Sequence, residues 1–118
     1  MITQLPSKEK STVMFRFNKK ITVQDYDYLL PMLEDKIERH GKLKLYCEFD
    51  NVAGIERNVA IRDGKFFLNH RHNFKKIAVV GVRKWVKQMM QLGDYLYSGE
   101  LKHFEKSHAN EALKWLKK

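Results

Sequence analysis

Side chains that could carry out acid–base or nucleophilic chemistry lie close together at residues 47–50. Glu48 and Asp50 are two positions apart, so in a strand both carboxylates project from one face, as an acid–base pair requires. Cys47 falls on the opposite, inward-facing set, where a thiol is usually unreactive. A carboxylate pair at the end of a strand is more often solvated than catalytic, and no partner acid or base is evident. We therefore expect a protein that is not an enzyme and has no cofactor.

The histidines at 70 and 72 resemble a metal-binding pair. Neighbouring positions on a helix point in different directions, and the sequence places no third Cys, His or Asp ligand beside His70 and His72. Two histidines alone specify a metal site only loosely. We expect no metal here.

A strand-to-helix junction after residue 77 could bind an anion. Ile77–Val80 is a continuous apolar run that ends at Gly81, and Arg83, Lys84 and Lys87 follow in a predicted helix. Backbone N–H groups at a helix start bind anions, and cations in the first turn oppose the helix dipole, which hints at an anion or an acidic partner. A single glycine does not make a phosphate loop, so a solvated helix start remains the alternative.

The predicted helix from Arg83 to Leu92 and the segment after it are rich in large apolar side chains. Methionine adapts to variable apolar ligands, and flanking cations would suit an anionic bilayer. Alternatively, Trp85, Met89 and Leu92 share one helical face and could simply pack on the sheet. The candidate residues for a nonpolar ligand or a membrane surface are Trp85, Met89, Met90, Leu92, Tyr95, Leu96 and Tyr97.

The elements that would position these side chains alternate between strands and helices. The apolar run at 77–80 is too continuous for a half-exposed strand and predicts the inside of a parallel sheet. Leu43 to Phe49 alternates strictly, whereas Asn18-Lys19-Lys20 and Asp50-Asn51 are predicted to end their strands. The predicted strands are Ile2–Leu5, Thr12–Phe17, Leu43–Phe49, Ile77–Gly81 and Leu101–Phe104.

Helix start and stop signals complete the pattern. Thr22 is a good N-cap with Asp25 three residues later, Gly41 is a suitable terminator, and Pro31 predicts a kink near Asp27 to Leu30. A second helix is predicted between Ile55 and His72, with Gly64 as the place where it would bend. Ser107 is predicted to cap the last helix. The order ββαβαβαβα then gives an α/β fold with a mixed sheet and helical crossovers.

The chain is strongly basic. Its 118 residues suit one domain and carry a net charge of +9 with a pI near 9.7, which favours anionic membranes, nucleic acid or acidic proteins as partners, or simply solubility. The lysines are dispersed along the sequence. A single cysteine, the absence of a long apolar run and the polar start of the chain predict a cytoplasmic protein.

Element order and several motifs resemble the SpoIIAA-like family of small bacterial domains with the STAS fold. The motifs are Met1–Pro6, Asp25-Tyr26, His70–Trp85, Gly99–Phe104 and Glu111–Leu116. The resemblance covers nearly the whole chain, residues 1–118, and it implies three candidate roles: docking to partner proteins, binding a nonpolar ligand, and associating with membranes.

The resemblance does not carry over the phosphorylation switch of the anti-sigma-factor antagonists in this fold group. In those proteins a Ser or Thr directly after an Asp is phosphorylated where the third strand enters the second helix. The corresponding segment here, Asp50-Asn51-Val52-Ala53-Gly54, keeps the Asp and lacks the hydroxyl. Phosphate therefore has no acceptor at this point.

The sequence thus predicts a non-catalytic STAS-like domain that binds a nonpolar ligand or lipid, associates with an anionic membrane surface, or does both. We expect a homodimer in the cytoplasm, with peripheral attachment to the inner membrane face. The alternative is a protein-docking module of the anti-sigma-factor-antagonist type without the phosphorylated residue. Nucleic-acid binding is disfavoured because no recognised module emerges and most aromatic residues fall on predicted core faces.

Overall fold

The computed structural model describes residues 1–81 and 99–118, and in these ranges the chain forms five strands and three α-helices. The strands are β1 (Ile2–Leu5), β2 (Thr12–Ile21), β3 (Leu43–Ile55), β4 (Phe74–Val80) and β5 (Glu100–Phe104). The helices are α1 (Val23–His40), α2 (Arg57–Asn69) and α3 (Ala109–Lys117), the last preceded by a 3₁₀ turn at Lys106–His108. The predicted α/β class is confirmed. The helix predicted from Arg83 to Leu92 lies outside the described residues.

The strands form one mixed sheet in the order β1-β2-β3-β4-β5. β1 is antiparallel to β2, and each later pair is parallel. β4 lies between β3 and β5 and is buried at Phe74 and from Lys76 to Val80. This position explains the continuous apolar run, because a parallel strand inside a sheet is covered on both faces.

Helices cover both faces of the sheet. β2, β3 and β4 are neighbours in chain order, so right-handed crossovers place α1 and α2 on the same face, over a core that includes Phe15, Leu45 and Leu33. α3 packs on the other face against a smaller cluster that includes Tyr46 and Phe104. No helix within residues 1–81 and 99–118 is long and apolar enough to cross a bilayer.

The predicted ends of α1 are confirmed. The Thr22 hydroxyl accepts from the Asp25 N–H, and the Asp25 carboxylate accepts from the Thr22 N–H at 2.9 Å. Gly41 has a φ of +77°, and its N–H donates to the Ile37 carbonyl at 2.7 Å. These bonds satisfy backbone groups that a helix end otherwise leaves unpaired. Pro31 lies inside the helix, and the kink predicted before it stays a prediction.

Two predicted strand ends are wrong. Asn18-Lys19-Lys20 does not turn the chain, because β2 continues to Ile21 through two register shifts around Lys19, whose φ is +57°. β3 likewise continues past Asp50 and Asn51 to Ile55, with Asn51 at a φ of +54°. Bulges allow a strand to pass through polar residues that would otherwise end it.

Two helix boundaries also differ from the prediction. Ser107 lies in the 3₁₀ turn and does not cap α3, which begins at Ala109 without a side-chain cap. The second predicted helix forms as one helix that contains Gly64, but it is shorter than the interval from Ile55 to His72. Ile55, the first residue of that interval, is instead the last residue of β3.

Candidate functional site

All three described helices end at the edge of the sheet where the parallel strands begin. α1 and α2 run back from the end of one strand to the start of the next. α3 runs in the same sense, because carbonyl oxygens in its last turn lie beside Lys44 and Lys76, near the starts of β3 and β4. We call this end of the molecule the amino edge and define it by residues 6–11, 35–42, 70–76, 99–100 and 114–118.

Two lysines of the sheet hold the end of α3. The Lys76 Nζ donates to the Trp115 carbonyl at 3.0 Å, and the Lys44 Nζ donates to the Leu116 carbonyl at 2.5 Å. Lys76 is only 8% exposed, and its ammonium also lies 5.1 Å from the centroid of the Trp115 ring and 4.0 Å from Glu100. The last carbonyls of a helix lack partners within it and carry partial negative charge. Lys44 and Lys76 therefore stabilise the C-terminal end of α3.

Further cations on the amino edge, all exposed except the half-buried Lys36, outnumber the acidic residues there. The cations are Lys8, Lys10, Lys36, Arg39, Lys42, Arg71, Lys75, Lys114, Lys117 and Lys118; the acidic residues are Glu9, Asp35, Glu38 and Glu100. Three helix ends contribute roughly half a negative charge each, which offsets only a small part of this excess. The amino edge is therefore a positively charged surface.

An open depression of about 770 Å³ lies on the amino edge between the β1–β2 loop and the last turns of α1. Its basic side is formed by Lys10, Lys36, Arg39 and His40. Its apolar side includes Leu5, Pro6 and Met14. The depression thus combines positive charge with a hydrophobic surface.

The two carboxylates singled out in β3 are bound by different partners. Glu48 accepts from the Arg16 guanidinium at 2.5 Å and from the Tyr46 hydroxyl at 2.9 Å. Asp50 pairs with the Lys106 ammonium, and this hydrogen bond holds the pKa of Asp50 below its usual value. The arrangement is that of two separate ion pairs, with no proton shared between the carboxylates.

The backbone is tightly packed where β3 meets the end of β4. Gly81 has a φ of +69°, and a Cβ there would stand 2.8 Å from the Phe49 carbonyl oxygen. Asp50 pairs with Lys106 across this junction. A side chain at position 81 would require the backbone to shift.

A partly buried polar contact joins α1 to α2. The Tyr26 hydroxyl donates to Asp63 at 2.6 Å, and burial raises the pKa of Asp63 to about 6 although this bond lowers it. Burial, followed by the charge of Asp63, also raises the pKa of the Cys47 thiol well above its usual value. The thiol is therefore protonated at neutral pH, as expected for an inward-facing cysteine. Nearer the surface, Arg62 pairs with Asp27 at 2.6 Å.

Both histidines follow the last residue of α2, and His70 occupies its C-cap position. The ring of His70 lies 4.5 Å from that of Phe66, and its Nε2 is 4.0 Å from Glu34. Among residues 1–81 and 99–118, no group of three or more His, Cys, Asp or Glu side chains could hold a metal ion.

The other predicted site residues lie between positions 82 and 98, outside the described part of the chain. They comprise the apolar set, Trp85, Met89, Met90, Leu92, Tyr95, Leu96 and Tyr97, and the anion-binding set, Arg83, Lys84 and Lys87. Both sets stay predictions.

Two features of the structure, the buried lysine Lys76 and the inward-facing carboxylate of Asp63, were not predicted, although the sequence contains a signal for each. Lys76 is a charged residue within an apolar strand, which indicates a buried partner. Asp63 lies four residues after Val59 and three before Phe66, both of which are buried, so helical spacing places its carboxylate on the inner face of α2.

A model of the SpoIIAA-like family matches residues 12–117. Among solved structures, an uncharacterised protein of the DUF3478 family with a SpoIIAA-like fold, from Shewanella loihica PV-4, superposes with a TM-score of 0.77 at 24% identity, covering 98% of this chain and 92% of its own. No curated protein matches the sequence significantly.

More distant structures share the fold. The anti-sigma factor antagonist SpoIIAA in its unphosphorylated form gives a TM-score of 0.66 at 9% identity over 97% of this chain and 98% of that one. The Bacillus cell fate determinant SpoIIAA in its phosphorylated form gives 0.64 at 8% identity over 96% and 99%. At these identities the likeness concerns the fold alone.

Proposed function

This chain belongs to the SpoIIAA-like family, and we propose that it is a non-catalytic binding domain that associates with anionic membrane surfaces through its amino edge and binds lipid there. The observation that supports this function is the gathering of solvent-facing cations at the end of the fold where all three described helices stop. Peripheral attachment to the inner membrane face follows from the same proposal.

The size of the electrostatic effect favours membrane binding over mere solubility. Each Lys or Arg near an anionic membrane contributes about 1 kcal/mol of attraction, and the attraction falls off within a Debye length of about 8–10 Å. Cations on one edge can all reach a flat surface at once, whereas the same charges spread over a sphere cannot. The apolar set of residues 85–97 is proposed to meet acyl chains, which would add binding that resists salt.

Vesicle co-sedimentation of a neutralised variant tests this function. We expect the triple variant Lys114→Gln, Lys117→Gln, Lys118→Gln to bind vesicles of phosphatidylglycerol and phosphatidylcholine roughly a hundredfold more weakly than the unmodified protein, since three contributions of about 1 kcal/mol are lost. Vesicles of phosphatidylcholine alone should bind neither protein strongly.

The matched control removes three exposed cations from the opposite end of the fold. The variant Lys19→Gln, Lys20→Gln, Arg57→Gln has the same net charge as the first variant. It should retain nearly full vesicle binding. Equal losses in both variants would contradict the proposal, because binding would then follow net charge and no particular surface.

Protein docking is the second candidate function, and an apolar surface on α2 favours it. Ile61 and Leu68 are 49% and 41% exposed and lie seven residues apart, which places them on one helical face. Such a face could receive a partner protein or a second copy of this chain, as in the expected homodimer. Absence of binding to any anionic vesicle would favour this second candidate.

A further inference from the structure

We propose that the depression between the β1–β2 loop and the end of α1 binds a phosphate monoester, either as the headgroup of an anionic lipid or as a soluble phosphate ester. The lipid form of this inference rests on the proposed membrane function, whereas the phosphate site itself does not. The cavity of about 770 Å³ is large enough for such a group together with the glycerol that carries it in a lipid.

Positive charge dominates the lining of the depression. Lys10, Lys36, Arg39 and His40 line it, and Arg39 reaches its neighbour Asp35 at 3.2 Å. The lining carboxylate, Glu9, accepts a hydrogen bond from the Thr12 hydroxyl at 3.2 Å. Against this one carboxylate the lining offers two lysines, the imidazole of His40 and the guanidinium of Arg39, which can bind phosphate oxygens in pairs.

The last turns of α1 bring three basic side chains together. Lys36 is three residues before Arg39 and four before His40, so the three side chains are neighbours on one face. They are not needed to close the helix, because the Gly41 N–H already bonds to Ile37 and the Gly41 carbonyl accepts from Asn73 at 2.8 Å. A bound anion would accept hydrogen bonds from the Lys36 and Arg39 side chains.

The loop that supplies Lys10 is fixed by local hydrogen bonds. The Ser7 hydroxyl donates to the Glu9 carbonyl at 3.1 Å, and the Thr12 N–H donates to the same carbonyl at 3.2 Å. The Ser11 carbonyl accepts from the Lys44 N–H at 2.9 Å, which ties the loop to the start of β3. A site held in place before binding loses less conformational entropy when its ligand binds.

Because the depression has an apolar side, a phosphate lipid and a soluble phosphate ester should bind to it with different affinities. Leu5, Pro6 and Met14 offer a hydrophobic surface next to the cations, as a glycerolipid requires. A lipid should therefore bind more tightly than a soluble ester with the same head, because it also buries its first methylene groups.

NMR titration of the full chain tests the site with three probes: inorganic phosphate, glycerol 3-phosphate, and dihexanoyl phosphatidic acid below its micelle concentration. We expect saturable shifts at the amides of Lys10, Lys36, Arg39 and His40. Methyl shifts at Leu5 and Met14 with the lipid alone, together with tighter binding of the lipid, identify a headgroup site. Equal affinity for lipid and glycerol 3-phosphate identifies a soluble ester.

The variant Lys36→Gln, Arg39→Gln should bind the phosphate probes at least about tenfold more weakly, since two charge-assisted contacts are lost. The control Lys20→Gln, Arg57→Gln removes two exposed cations from the opposite end of the fold that do not line the depression, and it should bind as the unmodified protein does. Equal weakening in both variants, or no saturable shift, would overturn the proposal.

The phosphate site and membrane association can be refuted independently of each other. Saturable phosphate shifts without vesicle binding would support the site and refute membrane association. Vesicle binding that Lys36→Gln, Arg39→Gln weakens no more than Lys114→Gln, Lys117→Gln does, with no phosphate shifts, would refute the site and leave membrane association standing.

Discussion

Asp63 is a partly buried side chain whose titration affects the stability of the fold. Its carboxylate lies between α1 and α2 with one hydroxyl donor, Tyr26, and burial raises its pKa to about 6. A carboxyl group with a pKa above its unfolded value near 3.9 binds its proton more tightly in the fold. The stability that protonated Asp63 contributes is therefore complete below about pH 4 and is lost as the pH rises through about 6.

We expect Asp63→Asn to remove this pH dependence. Between pH 4 and pH 7 the free energy of unfolding of the unmodified protein should fall, relative to that of the variant, by up to about 3 kcal/mol, as two pKa units imply. Urea unfolding at a series of pH values measures the difference. Asp27→Asn, at an exposed carboxylate paired with Arg62, is the control and should change little. Parallel pH curves for the unmodified protein and Asp63→Asn would contradict the assignment.

For the side chains of β3, the sequence predicted which way each one points but not which residues it contacts. Strand alternation placed Cys47 inward and Glu48 and Asp50 together on one side, and the structure buries Cys47. The partners of the two carboxylates come from elsewhere, 32 residues away for Arg16 and 56 for Lys106. Contacts at that separation depend on strand register, which local sequence patterns do not supply.

At the level of elements, the sequence correctly predicted the features that depend on interactions between residues close together in the chain. The capping residues Thr22 and Asp25, the terminator Gly41 and the buried run of β4 all act within a few residues of the chain. The ends of β2 and β3 were predicted wrongly because pairing between these two strands, at Lys20 with Gly54 and Ile21 with Ile55, overrides the local turn signals. Ser107 was misassigned because the chain first makes a 3₁₀ turn.

The attachment of α3 to the sheet depends on Lys76. We expect Lys76→Met to lower the free energy of unfolding by about 1–3 kcal/mol, because the carbonyl of Trp115 loses its charged donor. Hydrogen exchange should show the loss first in α3, at Ala112 to Leu116. The control Lys75→Met changes the exposed neighbour on the strand and should leave exchange in α3 unchanged. Equal exchange in the two variants would mean that Lys76 does not hold the helix.

Across the whole molecule, the topology accounts for the basic edge. Each crossover that joins parallel strands returns its helix to the starting end of the sheet, so the C-termini of α1 and α2 lie there, and α3 ends there as well. Cations near helix C-termini are locally favourable. Lysines that are dispersed along the sequence therefore gather in space, which composition alone did not reveal.

The most direct test of membrane association through the amino edge is the depth of two spin labels in bilayer-bound protein. Labels at Lys118→Cys and Lys20→Cys, each in a Cys47→Ala background, report on opposite ends of the fold. Power-saturation electron paramagnetic resonance on phosphatidylglycerol vesicles should place the Lys118→Cys label at the headgroups and the Lys20→Cys label in water. Equal depths, or a deeper label at Lys20→Cys, would contradict association through the amino edge.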